Sequence, residues 1–140
     1  MLIQNSQRLP TRFCPRVTLQ SMSTVTNLNQ KFDLFNAHWS PKIVGEINDT
    51  HVKLVKFQGE FVWHHHERED EMFLVVKGQF TMKLRDGDKI VKAGEFIIMP
   101  AGLEHCPYAE EEVWVMLLEP KTTTNTGTAG GERTALPEWI

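Results

Sequence analysis

Between Gly59 and Glu71 the chain carries three consecutive histidines followed by a run of acids: Trp63-His64-His65-His66-Glu67-Arg68-Glu69-Asp70-Glu71. On an extended strand successive side chains alternate faces, so His64 and His66 share one side and aim two imidazoles at one point. His65 takes the other side, with Phe61 and Trp63. The four residues Glu67 to Asp70 are all charged and suit a solvated turn, whereas Glu71 opens the apolar run Met72 to Val76. A carboxylate at the head of a buried strand needs a cation beside it. Further along, Pro100-Ala101-Gly102 reverses the chain and returns His105 toward the same cavity. A single histidine in a β domain is ordinarily a surface or core residue. Four ligand-type residues at two matched spacings favour a metal site instead.

The elements that must position these residues are mostly strands. Leu28, Phe32, Phe35 and Trp39 fall at helical spacing and predict a short helix that Ser40-Pro41 terminates. From Ile43 onward the period is two. Eight strands are predicted: Ile43–Ile47, His51–Phe57, Phe61–His66, Met72–Val76, Gln79–Leu84, Lys89–Val91, Phe96–Met99 and Val113–Leu118. Asn48-Asp49-Thr50, Lys77-Gly78, Asp86-Gly87-Asp88, Ala93-Gly94 and Pro100-Ala101-Gly102 supply the turns. Eight short strands at this spacing predict an all-β sandwich or jelly roll. Residues 1–26 read as an arm or leader, residues 27–120 as the barrel domain, and residues 121–140 as a polar surface tail with Leu136 and Trp139 as docking points.

These residues resemble the cupin family, whose motifs are usually written G-x5-H-x-H-x3/4-E-x6-G and G-x5-P-x-G-x2-H-x3-N. The first matches from His64 through His66 and Glu71 to Gly78, with the spacer after Gly59 one residue short. The second matches from Gly94 through Pro100 and Gly102 to His105, and Ala109 stands where the closing Asn would be. That departure affects the last turn rather than the metal set. Fifteen residues, Gln79 to Ala93, separate the motifs, and the resemblance covers roughly residues 40–120. It implies a cupin-type double-stranded β-helix (jelly-roll barrel) with a short N-terminal helix. It also implies a divalent transition metal (Fe, Mn, Ni or Zn) on His64, His66, Glu71 and His105.

Three neutral imidazoles and a carboxylate suit a borderline divalent metal. An octahedral ion would keep two positions open for a small polar molecule or O2; tetrahedral zinc would be closed by the same four ligands. The resemblance therefore implies a metal-dependent oxygenase, isomerase or lyase, or alternatively a non-catalytic metal-containing sensor of small molecules. No acid/base partner is assignable from the sequence, and the fold by itself does not choose between these functions. His38 and His51 lack spaced partners, and Cys106 next to His105 reads as a buried, inert thiol.

Composition narrows the partners. The 140 residues are enough for one domain, and 15 Lys+Arg against 18 Asp+Glu give a formal charge of -3, which supplies no field for nucleic acid or anionic lipid. The longest apolar run, Val113 to Leu118, is far short of the roughly 20 residues that span a bilayer. A cytoplasmic protein is expected, with Cys14 and Cys106 as free thiols. A homodimer is expected too. Once His64, His66 and Glu71 point inward, Phe61, Trp63, Met72, Leu74 and Val76 point outward, and a strand apolar on both faces must be covered on both.

Overall fold

Each break in the apolar runs becomes a turn, and the strands between them close into one antiparallel barrel. The computed structural model describes residues 23–140; the predicted arm falls outside the described residues up to position 22, as does Cys14. The elements are α1 (Leu28–Phe32), β1 (Lys42–Ile47), β2 (Thr50–Glu60), β3 (Glu71–Lys77), β4 (Gln79–Leu84), β5 (Lys89–Lys92), β6 (Phe96–Met99), β7 (His105–Pro120) and β8 (Glu138–Trp139). The strands run in the order β5-β4-β7-β2-β1-β8, with β3 bridging β7 to β6. β7 is the spine of the barrel. Its first residues pair with β4, Leu84 opposite His105, and its later residues pair with β2 on one edge and β3 on the other. The mostly β architecture with a single short helix matches the expectation.

Alternation on β2, β3 and β7 divides the apolar residues between two cores. Val55, Phe57, Phe73, Val75, Val113, Val115 and Leu117 face the barrel interior and pack with Phe80, Met82, Val91 and Met99. The opposite faces meet α1. Phe32, Phe35 and Leu54 are buried there against Val44, Val76, Trp114 and Met116, and the Phe32 ring stacks on Trp114 at 4.8 Å. Removing an aromatic ring such as Phe32 from water contributes about 1.5–3 kcal/mol.

Three expectations are corrected. The helix ends at Phe32, well before Trp39, because Trp39 takes a left-handed backbone (φ 58°) and donates its N–H to the Lys56 carbonyl. One turn, capped by the Asn27 side chain on Gln30 N, is all that forms. Residues 61–66 are not a continuous strand: only His64 makes a bridge, to His105. With the alternation broken, Phe61 turns inward and is buried, whereas Met72, Leu74 and Val76 do lie on the outer face of β3. The tail does not merely run over the surface. Thr126 is completely buried, Glu138 and Trp139 add a parallel strand beside β1, and Ile140 joins the outer core. Leu136 stays exposed.

Candidate metal centre

Two irregular segments deliver the histidines. His64 and His105 hydrogen-bond each other through both backbone N–H groups, at 3.0 and 2.9 Å, which sets their rings 4.4 Å apart. The carbonyl of His66 accepts from Gly102 N at 2.7 Å, so the Pro100-Ala101-Gly102 turn clamps the end of the His-x-His segment. Gly102 adopts φ +83°, a conformation that favours glycine. Asp70 holds the same turn through Ala101 N at 2.8 Å. One acid of the charged run thus orients the site without facing it.

His64, His66, Glu71 and His105 are all buried, and each offers one donor atom within 4.8 Å of the others. Nδ1 of His64 lies 2.9 Å from the Val62 carbonyl and Nδ1 of His105 lies 2.8 Å from the Leu103 carbonyl. Each Nδ1–H donates to its carbonyl, and that leaves Nε2 as a lone-pair donor toward the cluster. Glu71 Oε2 sits 3.2 Å from His66 Nε2 and 3.6 Å from His105 Nε2. All three of these buried atoms lack a hydrogen-bond partner. Such orphans are costly unless something else binds them. Burial, reinforced by His105, lowers the His64 imidazole to about 4, so at neutral pH it is uncharged and able to ligate. For Glu71 burial acts upward, but His105, His66 and Glu119 around it prevail and hold the carboxyl well below the ordinary range.

Sequence reasoning missed a charged pair behind the cluster. Lys53 on β2 and Glu119 on β7 are both fully buried and meet at 2.6 Å. Burial first, and then the charge of Glu71, pushes Glu119 well above the usual carboxylate range, against the pull of Lys53. The interior therefore places two carboxyl groups, Glu71 and Glu119, beside one ammonium, and only one of the two is readily ionised unless a further cation, such as a divalent ion at the histidines, joins them. The signal was present in the alternation: Val113, Val115, Leu117 and Glu119 share a face of β7, and Lys53 shares a face of β2 with Val55 and Phe57. Cys106 is buried and free, and burial pushes its thiol up.

Beside the cluster lies a narrow cavity of about 30 Å³, with Phe57, Phe61, Phe73 and Leu117 among its walls and His64, Glu71 and Glu119 also lining it. Trp39 crosses it, stacked on Phe57 at 4.5 Å and on Phe61 at 4.6 Å. The Phe61 ring stands edge-on to His64 at 5.4 Å. Trp63 is half-buried on the other side, under the Arg85 guanidinium at 3.7 Å.

A barrel of this topology with three histidines and one glutamate inside is the arrangement of a cupin, and the comparisons with known proteins agree. The family model described as Cupin domain matches residues 51–119. A cupin-2 domain containing protein from Shewanella frigidimarina is 48% identical in a match covering 69% of this chain and 95% of that one, with a TM-score of 0.69. Protein NMB1881 from Neisseria meningitidis is 26% identical over 70% of this chain and all of its own, with a TM-score of 0.65. Among curated proteins, YdbB of Bacillus subtilis (strain 168) is 36% identical over 63 residues, 44% of this chain and 56% of its own length. The chain spans only about half of that relative. The chain belongs to the cupin superfamily.

Proposed function

We propose that His64, His66, Glu71 and His105 hold one divalent transition metal (Fe, Mn, Ni or Zn), and that the chain is a metal-dependent enzyme of oxygenase, isomerase or lyase type acting on a small molecule in the barrel. The observation that carries this reading is the set of three buried, unpartnered donor atoms, His66 Nε2, His105 Nε2 and Glu71 Oε2, converging with the fourth ligand within 4.8 Å. The donor set is neutral nitrogen and anionic oxygen, the mixture a borderline first-row ion takes. Bound there, such an ion supplies Lewis acidity toward an oxygen of the substrate. The chain does the rest. Val62 and Leu103 fix two imidazole orientations through their carbonyls, the Pro-x-Gly turn fixes His66, and aromatic and aliphatic side chains wall most of the neighbouring cavity.

Metal analysis of protein purified without chelating resin tests this reading. About one metal ion per chain is expected; full occupancy in a His64→Ala/His105→Ala variant, or a wild-type chain that retains none after loading, overturns it.

The reading extends to a homodimer. Phe96 and Ile98 on β6 are 59% and 51% exposed and lie beside Leu74 and Met72 on β3, an apolar outer face that α1 does not reach. β6 pairs with β3 alone, so its other edge is open. Two copies packing these faces together would form an isologous contact. Sedimentation at micromolar concentration checks it: a species near 16.1 kDa refutes the dimer.

A further inference from the structure

Residues 121–135 fold back over the His-x-His segment as a clasp closed on itself. Asn125 donates from Nδ2 to the Arg133 carbonyl and accepts at Oδ1 from Ala135 N, at 2.8 and 2.9 Å, and the hydroxyls of Thr126 and Thr134 meet at 2.7 Å. Its contacts with the barrel include one short stretch beside the cluster. The Thr122 hydroxyl donates to Glu69 Oε1 at 2.9 Å, Thr128 N donates to the His65 carbonyl at 3.0 Å, and Gly127 lies against that same carbonyl and His66 Nδ1.

The three imidazoles are not held alike. His64 and His105 have Nδ1 2.9 and 2.8 Å from the carbonyl two residues back, and their backbones bond to each other. For His66 the carbonyl two residues back belongs to His64, and it already accepts from His105 N at 2.9 Å. His66 is set instead through its flanking peptides. The peptide after it is pinned at the His66 carbonyl by Gly102 N, and the peptide before it is pinned at the His65 carbonyl by Thr128 N. One pin comes from the Pro-x-Gly turn and the other from the clasp. The second pin has a steric requirement. Gly127 adopts φ +49°, and a Cβ there would collide with the His65 carbonyl and stand 3.1 Å from His66 Nδ1, so glycine is what lets Thr128 reach its bond. Displacing that peptide moves the ring whose Nε2 lies 3.2 Å from Glu71 Oε2 in the cluster.

We propose that Gly127 is a positioning residue for His66, and that the clasp of residues 121–135 holds this imidazole in the orientation that binds metal. The inference rests on the proposed metal site for the ligand role of His66; the contacts of the clasp stand without it. By linkage, a clasp that favours the ligating orientation is itself tightened when the metal binds.

Zinc affinity of the full chain, measured by competition with a chromophoric chelator, tests it. Gly127→Ala should bind zinc about 10–100-fold more weakly, the range for loss of an orienting partner. Gly127→Asn tolerates a left-handed backbone but carries the same Cβ, and should be equally weak. Gly130→Ala and Gly131→Ala bring similar backbone strain, at φ +58° and +90°, with open space around the new Cβ, and should stay within about twofold of wild type. The visible bands of the cobalt(II)-loaded chain should change in Gly127→Ala and not in Gly130→Ala, a signature that lost stability alone does not produce. Wild-type affinity and bands in Gly127→Ala, or the same loss in all these variants, overturn the proposal. The wild type supplies a measurement that needs no variant to fold: amide exchange at Thr128 should slow about tenfold or more on zinc loading, by the reciprocity of linkage. An unchanged rate there overturns the proposal as well. A wild type that takes up no zinc refutes the metal reading instead, and the clasp is then judged on metal-free protein by the ring resonances of His66. Resonances that shift in Gly127→Ala but not in Gly130→Ala uphold the positioning role, and coincident spectra refute it.

Discussion

Strand β2 buries two lysines three residues apart, and they face opposite ways. Lys53, 2% exposed, points into the barrel and meets Glu119 at 2.6 Å behind the histidine cluster. Lys56, 5% exposed, points outward, donates to the Phe35 carbonyl at 2.8 Å and lies over the rings of Trp114 and Phe35 at 4.7 and 5.3 Å. A buried ammonium is costly on either face. The outer one is offset by a carbonyl and two π faces, and stitches the segment after α1 to the sheet. The inner one is offset by a carboxylate that itself touches the site, so its charge cannot be exchanged for an apolar side chain without altering the cluster. The inner pole carries charge because of what it surrounds; the outer face carries charge because of what it fastens.

Breaking the inner pole at its ligands should give the largest effect. His64→Ala/His105→Ala removes two nitrogen donors, and metal affinity should fall at least about a thousandfold, since loss of even an orienting partner costs about 10–100-fold. Lys56→Met on the outer face should retain the metal in full. Elemental analysis of both variants after identical loading, with circular dichroism to confirm the β fold, decides whether the two faces are functionally separate. Metal lost equally from both would erase the distinction.

Next comes the pair behind the ligands. Glu119→Leu leaves the buried Lys53 ammonium without its carboxyl partner, and urea unfolding should show a loss of about 3–5 kcal/mol. The double variant Lys53→Met/Glu119→Leu should recover most of it, because two apolar side chains of similar volume replace the pair. If the double variant is as unstable as the single, the inner pair stabilises the barrel outright and the contrast with Lys56 weakens.

A third test uses protons. Burial lowers the His64 imidazole to about 4 in the folded chain, against about 6.5 for a free histidine. Between those values the unfolded chain binds the extra proton, so stability from this residue is full above about pH 6.5 and is lost as pH falls toward 4. The slope is at most about 1.4 kcal/mol per pH unit. Glu119 works in the opposite sense, protonated in the folded chain above its ordinary range, which is why the measurement must be the difference between wild type and His64→Gln in metal-free protein. A difference that does not change between pH 7 and pH 5 sinks the account of His64 as a buried neutral imidazole.

The two faces also differ in how far the sequence discloses them. His64, His66, Glu71 and His105 were legible because their spacing is tied to local geometry: alternation for the first pair and a glycine turn for the last. All four meet in one cluster. β1 to β6 were legible within a few residues for the same reason, since their turns use residues with distinctive backbone preferences. Phe61 and Trp39 were misplaced because a period carries information only while the element lasts. Residues 61–66 leave the strand after Glu60, and the chain leaves α1 after Phe32. The clasp was invisible for a different reason. Its Thr, Asn and Gly residues act through single long-range contacts, such as Gly127 on His65 and Asn125 on Ala135, and such contacts have no period at all.

The smallest expected effect lies with Lys56. Lys56→Met keeps the aliphatic stem that packs under Trp114 and Phe35 while removing the ammonium. The loss is one charge-assisted hydrogen bond and a cation over two rings, with the Phe35 carbonyl left to find water; together these cost about 2–4 kcal/mol. The gain is the relief of an ammonium held away from solvent with no carboxylate bonded to it, which returns most of that sum. The expected net is a loss of about 1 kcal/mol, measured as a shift in the urea midpoint at unchanged slope. A loss as large as that of Glu119→Leu would place the outer lysine on the same footing as the inner one, and the two faces of β2 would then differ in partner but not in kind. A loss near 1 kcal/mol with metal intact locates the costly charge of this barrel at its inner pole, beside the donors that would hold the ion.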